Sequence, residues 1–129
     1  LYRVIFATKQ AMLKVVDGGE FDVAKRTVAA TKLADVDEVV SVVTLKEQRN
    51  IVLQSAEGYF LRFPVEEIPE KKKGAIGVRG MKLGAKDSLE AVYYTRNAVE
   101  QTIEYGGKQI ELNKIKLGKR DGRGVKIRV

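Results

Sequence analysis

The segment ATKQAMLKVVDGGEFDVAKR, residues 7–26, can be laid without a gap over QSAEGYFLRFPVEEIPEKKK, residues 54–73, at an offset of 54 − 7 = 47 positions. Glu20 then pairs with Glu67, and each segment ends in two basic residues. Because the matches keep their order along both segments, we interpret them as two copies of one internal repeat.

The repeat continues beyond these segments. After a three-residue insertion in the second copy, TKLADVDEV at residues 31–39 aligns with MKLGAKDSL at residues 81–89, and a shorter third copy runs over residues 102–129. A period of about 45 to 50 residues with about four strands in each copy is the size of a propeller blade. We therefore predict one domain over residues 1–129, with approximate blades at 1–48, 49–98 and 99–129.

Short runs rich in valine, isoleucine and aromatic residues alternate with turns that contain glycine, asparagine or aspartate. This pattern is typical of antiparallel hairpins and predicts an all-β fold. The stretch Phe21–Leu33 also fits an amphipathic helix, and this alternative stays open. The predicted strands are Val4–Phe6, Met12–Val16, Val39–Leu45, Ile51–Gln54, Tyr59–Phe63, Leu89–Thr95, Thr102–Tyr105 and Gln109–Leu117.

Positive charge is concentrated in two parts of a chain whose formal net charge is +7. Residues 71–82 hold five basic residues and no acid, and residues 113–129 hold seven basic residues against Asp121 alone. Segregated basic segments favour a polyanionic partner, because every phosphate that is neutralised releases condensed counterions. A solvated lysine face without a partner would have the same composition.

The composition removes most parts of an enzyme active site. The chain has no cysteine and no histidine, which excludes disulfides, thiolate metal sites and the commonest general base. The carboxylates of Glu66, Glu67 and Glu70 are explained more simply as partners of the adjacent lysines. We predict no catalytic residue, no metal and no cofactor in this chain.

The ends and the hydropathy of the chain bear on its origin. Because it begins with Leu1 rather than methionine, we expect it to be a piece of a longer protein. It has no apolar run of about 20 residues and no signal-peptide pattern, so we predict a cytoplasmic location and no membrane partner.

The segment KKKGAIGVRGMKL, residues 71–83, combines a lysine run with three glycines. Lysines reach phosphates as mobile point charges, and Arg79 can engage two phosphate oxygens in a fork. The glycines permit close approach of the backbone to a phosphate, or a bend where a strand crosses to the next blade, and we expect both. The spacing of GAIGVRG does not fit a dinucleotide-binding loop.

The sequence GYFLRFPVEEIPEKKKGAIGVRGMKLGAKDSLEAVYY, residues 58–94, resembles a blade of the C-terminal domain of the A subunit of bacterial type II topoisomerases, DNA gyrase and topoisomerase IV. The combination of a glycine-aromatic strand, an acidic elbow with proline, a lysine run, GVRG, and KL followed by aspartate carries the resemblance, which extends over the whole chain. It implies a partial β-pinwheel, a propeller-like disc with exchanged strands, of about two and a half to three four-stranded blades.

The resemblance also implies a function. In this family the domain is non-catalytic, and its basic rim binds and bends or wraps duplex DNA for the cleavage core, whose tyrosine lies in another domain. The implied partners are double-stranded DNA, the ATPase B subunit, and the remainder of the A subunit, in the bacterial cytoplasm at the nucleoid. Full domains of the family hold more blades than this chain, so incomplete pinwheels could also self-associate. The basic, glycine-rich box that marks gyrase is absent, and gyrase and topoisomerase IV both stay open.

Carried over position by position, the resemblance implies a set of lysines and arginines on the DNA-binding rim. In the order of the three blades, these residues are Lys14, Lys25, Arg26, Lys32, Arg62, Lys71, Lys72, Lys73, Arg79, Lys82, Lys119, Arg120, Arg123 and Lys126.

Two other classes of protein fit part of the pattern. A basic β-rich RNA-binding module shares the charge, but it should lack the long repeat and expose aromatic residues for base stacking. A protein-interaction propeller shares the repeat, but its basic residues should not recur at one position of each blade.

Overall fold

The computed structural model describes residues 2–21, 31–34, 36–96 and 99–129, and these residues form ten β-strands and three short 3-10 helices. None of the described helices is long and apolar enough to cross a lipid bilayer. The helix considered for Phe21–Leu33 falls mainly on residues outside the described ranges. The strands are β1 (Arg3–Thr8), β2 (Met12–Asp17), β3 (Val39–Leu45), β4 (Asn50–Ser55), β5 (Tyr59–Pro64), β6 (Val78–Arg79), β7 (Leu89–Thr95), β8 (Thr102–Tyr105), β9 (Lys108–Glu111) and β10 (Val125–Lys126), and the 3-10 helices are Gly18–Phe21, Val65–Glu67 and Leu112–Lys114.

The strands form two four-stranded sheets and one two-stranded sheet. Their orders are β3-β1-β2-β6, β10-β5-β4-β7 and β8-β9, with antiparallel pairing between neighbouring strands. β6 follows β5 in the chain but pairs with β2 of the preceding sheet, and β10 follows β9 but pairs with β5. Each complete blade therefore takes its fourth strand from the next repeat, which confirms the predicted all-β pinwheel of partial extent.

The two exchanged strands were not expected from the hydropathy pattern. β6 and β10 are only two residues long and lie in basic, glycine-rich sequence. The long strand predicted at Gln109–Leu117 is also shorter in the structure, because β9 ends at Glu111 and a 3-10 helix follows.

The repeat seen in the sequence recurs in the hydrogen bonds. At the β1–β2 turn the Thr8 hydroxyl accepts a bond from the N–H of Met12 over 3.0 Å. At the β4–β5 turn the Ser55 hydroxyl accepts the corresponding bond from the N–H of Tyr59 over 3.1 Å. Beside each turn the register also shifts, between β1 and β3 at Thr8 and between β4 and β7 at Ser55. The two blades are thus built alike at the level of single side chains.

The two middle strands of each complete blade are largely buried, because neighbouring sheets cover them. One apolar cluster joins the first two blades through Leu13 and Val15 of β2 and Leu53 of β4, and a second cluster around Phe60 joins the second blade to the third. Burying a large apolar side chain of this kind contributes about 1.5 to 3 kcal/mol. The core therefore lies between blades, and it fixes how their edges are placed.

The edges of the blades differ in character. β3 and β7 are edge strands of neighbouring sheets and contact each other, with the Tyr94 hydroxyl of β7 near Ser41 of β3. Because the blades of a propeller radiate from a central axis, the edges that meet mark the inner side. The exchanged strands β6 and β10 occupy the opposite edges, which form the outer side of the disc.

Candidate nucleic-acid interface

Two basic segments lead into the exchanged strands on the outer side. Residues 71–77 lead into β6, and residues 118–124 lead into β10, at the offset of the repeat. Gly77 has φ +103°, and a Cβ there would lie 2.5 Å from the carbonyl oxygen of Leu13. Gly124 has φ +82° and packs in the same way against the carbonyl of Phe60. Glycine is needed at both positions because the exchanged strand approaches the backbone of β2 or β5 too closely for a side chain.

A glutamate from each 3-10 region holds the start of each basic segment. The Glu20 carboxylate accepts a hydrogen bond from the backbone N–H of Lys73 over 3.0 Å. The Glu67 carboxylate accepts the equivalent bond from the N–H of Arg120 over 2.7 Å. The alignment of Glu20 with Glu67 predicts that the two glutamates are equivalent, and the structure shows that each binds a backbone N–H of the following basic segment.

The family resemblance implies Lys14 as a DNA contact, but the structure places its side chain in the interior, only 1% exposed. Its ammonium group donates to the carbonyl oxygens of Lys72, Lys73 and Ala75 over 3.2, 2.8 and 2.5 Å. Burial lowers the pKa of Lys14, and the charge of Glu20 opposes this shift. Lys14 therefore cannot reach a phosphate, because its donors are used to hold the basic segment in place.

Arg62 and Arg120 are also committed to internal contacts. The Arg62 Nη1 group donates to the carbonyl oxygens of Asn113 and Ile115 over 2.7 and 2.8 Å. The Arg120 guanidinium donates to the carbonyl of Glu67 over 3.1 Å and to that of Arg79 over 2.9 Å. Both side chains are half-buried. They fasten one blade to the next, and this role accounts for them without DNA.

The remaining predicted lysines of the segments are better placed for a ligand. Lys73 is half-exposed, and the others are exposed. Lys32 lies beside them, since its N–H donates to the carbonyl of Lys73 over 3.0 Å. Lys25 and Arg26 fall outside the described residues. The exposed lysines are Lys32, Lys71, Lys72, Lys82 and Lys119.

A carboxylate lies among the cations at the junction of the first two blades. The chain around Gly80 pairs with residues 121–122 through backbone bonds from Asp121 to Gly80 and from Lys82 to Gly122, each 2.8 Å. Arg79 forms a fork with Asp121, with Nε 2.5 Å from one carboxylate oxygen and Nη2 3.1 Å from the other.

The charges around Asp121 shift its titration. The hydrogen bond from Arg79 is the main reason that the pKa of Asp121 lies below its ordinary value, and the charges of Lys82 and Arg120 add to it. The sequence prediction missed Asp121 as part of this site. Asp121 is the one acidic residue in the basic stretch 113–129, and this isolation could have marked it as a partner of the surrounding cations.

Two further cations surround an aromatic ring on the second blade. The guanidinium of Arg123 lies 4.5 Å, and the ammonium of Lys126 5.6 Å, from the centre of the Tyr59 ring. Arg123 lowers the pKa of the Tyr59 hydroxyl by hydrogen bonding and by its charge. Both cations are exposed, so the ring can support their side chains while their charge faces solvent. Tyr59 was predicted as a strand residue and not as part of the site.

The chain is similar in sequence to much longer bacterial proteins. It is 29% identical over 128 residues to the A subunit of DNA gyrase from Lawsonia intracellularis, covering 94% of this chain and 16% of that protein. It is 29% identical over 127 residues to the A subunit of DNA topoisomerase 4 from Streptococcus pneumoniae, covering 93% of this chain and 15% of that protein. The chain thus spans about a sixth of the length of these relatives.

Solved structures share the fold. The C-terminal domain of DNA topoisomerase IV matches 98% of this chain, and 41% of its own, with a TM-score of 0.87 and 23% identity. The DNA gyrase A C-terminal domain matches 96% of this chain, and 42% of its own, with a TM-score of 0.77 and 22% identity. The family model described as DNA gyrase C-terminal domain, beta-propeller, matches residues 2–46, 49–96 and 106–128. By the extent of this match, the chain belongs to the DNA gyrase C-terminal domain family of β-propellers.

Proposed function

We propose that the chain binds duplex DNA along its outer side, bends it without reading its sequence, and presents it to the cleavage core of a bacterial type II topoisomerase. The observation that carries this proposal is the recurrence of the basic segments 71–82 and 119–126 at the outer edges of neighbouring blades. Arg79 of β6 and Lys126 of β10 occupy equivalent positions one repeat apart and are both exposed.

The arrangement suits a phosphate backbone better than base edges. Lysines on glycine-rich segments offer mobile charges, and contacts of this kind position DNA without carrying sequence information. Because successive blades are rotated about the disc axis, cations repeated on each outer edge follow a curve. A duplex that contacts several of them has to bend, and the contacts offset the elastic cost of bending.

We assign no catalytic step to this chain, and we propose that cleavage and ATP hydrolysis reside elsewhere in the parent enzyme. The proposed partners are double-stranded DNA, the ATPase B subunit, and the remainder of the A subunit, in the bacterial cytoplasm. Proteins of gyrase and of topoisomerase IV both occur among the relatives, so the proposal covers either enzyme.

The test is binding to a duplex of about 40 base pairs, which is about a quarter of the DNA persistence length, with fluorescence transfer between labelled ends across a salt series. We expect salt-dependent binding, with a log-log slope of about −0.9 for each phosphate neutralised, and increased transfer. Binding that leaves the ends apart would contradict the bending, and salt-insensitive binding would contradict the phosphate contacts.

Matched variants locate the surface. Reversal of charge at Lys71 or at Lys72 should weaken binding and flatten the salt slope by about 0.9, since one phosphate contact is lost. Lys46, an exposed lysine between β3 and β4, serves as the control for a single reversal away from the outer edge. Competition by single-stranded RNA that exceeds competition by duplex DNA would favour the RNA-binding alternative instead.

A further inference from the structure

The fork between Arg79 and Asp121 has the geometry of an arginine bound to a phosphate. Two nitrogens of one guanidinium face two oxygens of one anion, and such bidentate pairs recognise carboxylates and phosphates alike. The positive charges of Lys82 and Arg120 also stabilise the charged form of this carboxylate and lower its pKa. The arrangement is therefore an anion site that a residue of the protein itself already fills.

We propose that Asp121 occupies a phosphate-binding position formed by Arg79 and Lys82, and that a phosphate of bound DNA replaces the carboxylate. This inference rests on the proposed duplex binding and names one subsite within it. Asp121 would then act as an internal competitor that limits how tightly the junction between the first two blades holds DNA.

The exposure of the pair permits this exchange. The side chain of Arg79 is 56% exposed and that of Asp121 is 34% exposed, so a phosphate can approach both. Solvent-exposed ion pairs contribute little to stability, and little is lost when one anion replaces another. Arg120 stays in place during the exchange, because backbone carbonyls hold its guanidinium.

The preceding repeat lacks this competitor. Asp121 has φ +68°, a conformation that favours glycine or asparagine. The equivalent position one repeat earlier is Gly74, which is exposed and has open space where a Cβ would lie. The position equivalent to Asp121 therefore holds no carboxylate in the earlier repeat.

The test measures duplex affinity and its salt slope for Asp121→Asn, which removes the charge and retains a residue that tolerates positive φ. We expect binding about tenfold tighter at low salt, with a slope steeper by about 0.9, as for one more phosphate neutralised. Asp121→Gly should give the same gain in affinity and the same change in slope, and it tests the inference if the asparagine variant folds poorly. Glu70→Gln is the matched control, because Glu70 is an exposed acid beside the lysine run and has no role in the fork.

A second variant separates the fork from net charge. Arg79→Lys in the Asp121→Asn background keeps the positive charge but loses the planar fork, so it should cancel most of the gain. If Asp121→Asn binds no tighter than Glu70→Gln, or if Arg79→Lys leaves the gain intact, the inference is wrong while duplex binding by the wild type still supports the proposed function. If neither the wild type nor Asp121→Asn binds duplex, both proposals are wrong.

Discussion

The ammonium group of Lys14 donates a hydrogen bond of 2.8 Å to the backbone carbonyl of Lys73. This hydrogen bond joins a buried position on β2 to the basic segment 71–77 on the outer side of the blade. Two more carbonyls of that segment accept bonds from the same ammonium group. The buried side chain of Lys14 therefore holds the backbone that carries the surface lysines.

Replacement of Lys14 by methionine should destabilise the fold and weaken DNA binding together. The carbonyls of Lys72, Lys73 and Ala75 would lose their common donor, although removal of a buried charge offsets part of the loss, and we expect a net cost of about 1 to 3 kcal/mol. Urea unfolding and duplex affinity measure the two effects. Lys46→Met, at an exposed lysine, is the control, and a Lys14→Met protein as stable as the wild type would contradict the structural role.

Gly77 and Gly74 should respond differently to alanine although both lie in the same basic segment. Gly77 has φ +103°, and a Cβ would lie 2.5 Å from the carbonyl of Leu13, so Gly77→Ala should cost more than about 2 kcal/mol and displace β6. Gly74 has neither constraint, and Gly74→Ala should change stability by less than about 1 kcal/mol, in either direction. Equal losses in thermal unfolding would mean that the exchanged strand does not need glycine at residue 77.

Sequence reasoning found the fold through side chains that repeat, and it missed what depends on distant contacts. All eight predicted strands overlap strands of the structure, and only Gln109–Leu117 runs well past the end of its strand. Runs of β-branched residues such as Val39–Leu45 carry their own signal. β6 and β10 could not be recognised, because two residues in glycine-rich sequence form a strand only when β2 or β5 supplies the partner.

The same limit applies to the interface. A lysine run predicts a cationic surface, but the burial of Lys14 depends on the distant loop whose carbonyls accept its hydrogen bonds. The pairing of Arg79 with Asp121 joins residues from different repeats, and no local pattern specifies it. The sequence identifies the basic residues, but which of them lie on the surface and which in the interior depends on how the blades pack.

Glu67 should matter to stability although its neighbour Glu66 should not. The Glu67 carboxylate accepts a bond of 2.7 Å from the N–H of Arg120, and its loss in Glu67→Ala should cost about 0.5 to 1.5 kcal/mol. Glu66 is exposed, so Glu66→Ala should stay within about 0.5 kcal/mol of the wild type. Denaturant midpoints compare the two variants, and equal midpoints would show that the bond to Arg120 does not contribute.

The inner contact between β3 and β7 should make stability sensitive to alkaline pH through Tyr94. Burial raises the pKa of Tyr94 above its ordinary value of 10.0, so above about pH 10 the unfolded chain releases a proton that the folded chain retains. The unfolded state then binds fewer protons, and stability falls as pH rises. Tyr94→Phe should remove this contribution, so that stability falls less steeply with pH, as measured by urea unfolding between about pH 9 and 11.

Tyr59→Phe is the control of opposite sign. The pKa of Tyr59 is lowered in the folded chain, so removal of its hydroxyl should make stability fall more steeply with pH. If Tyr94→Phe loses stability with pH as steeply as the wild type, the hydroxyl is not held away from water at the inner edge.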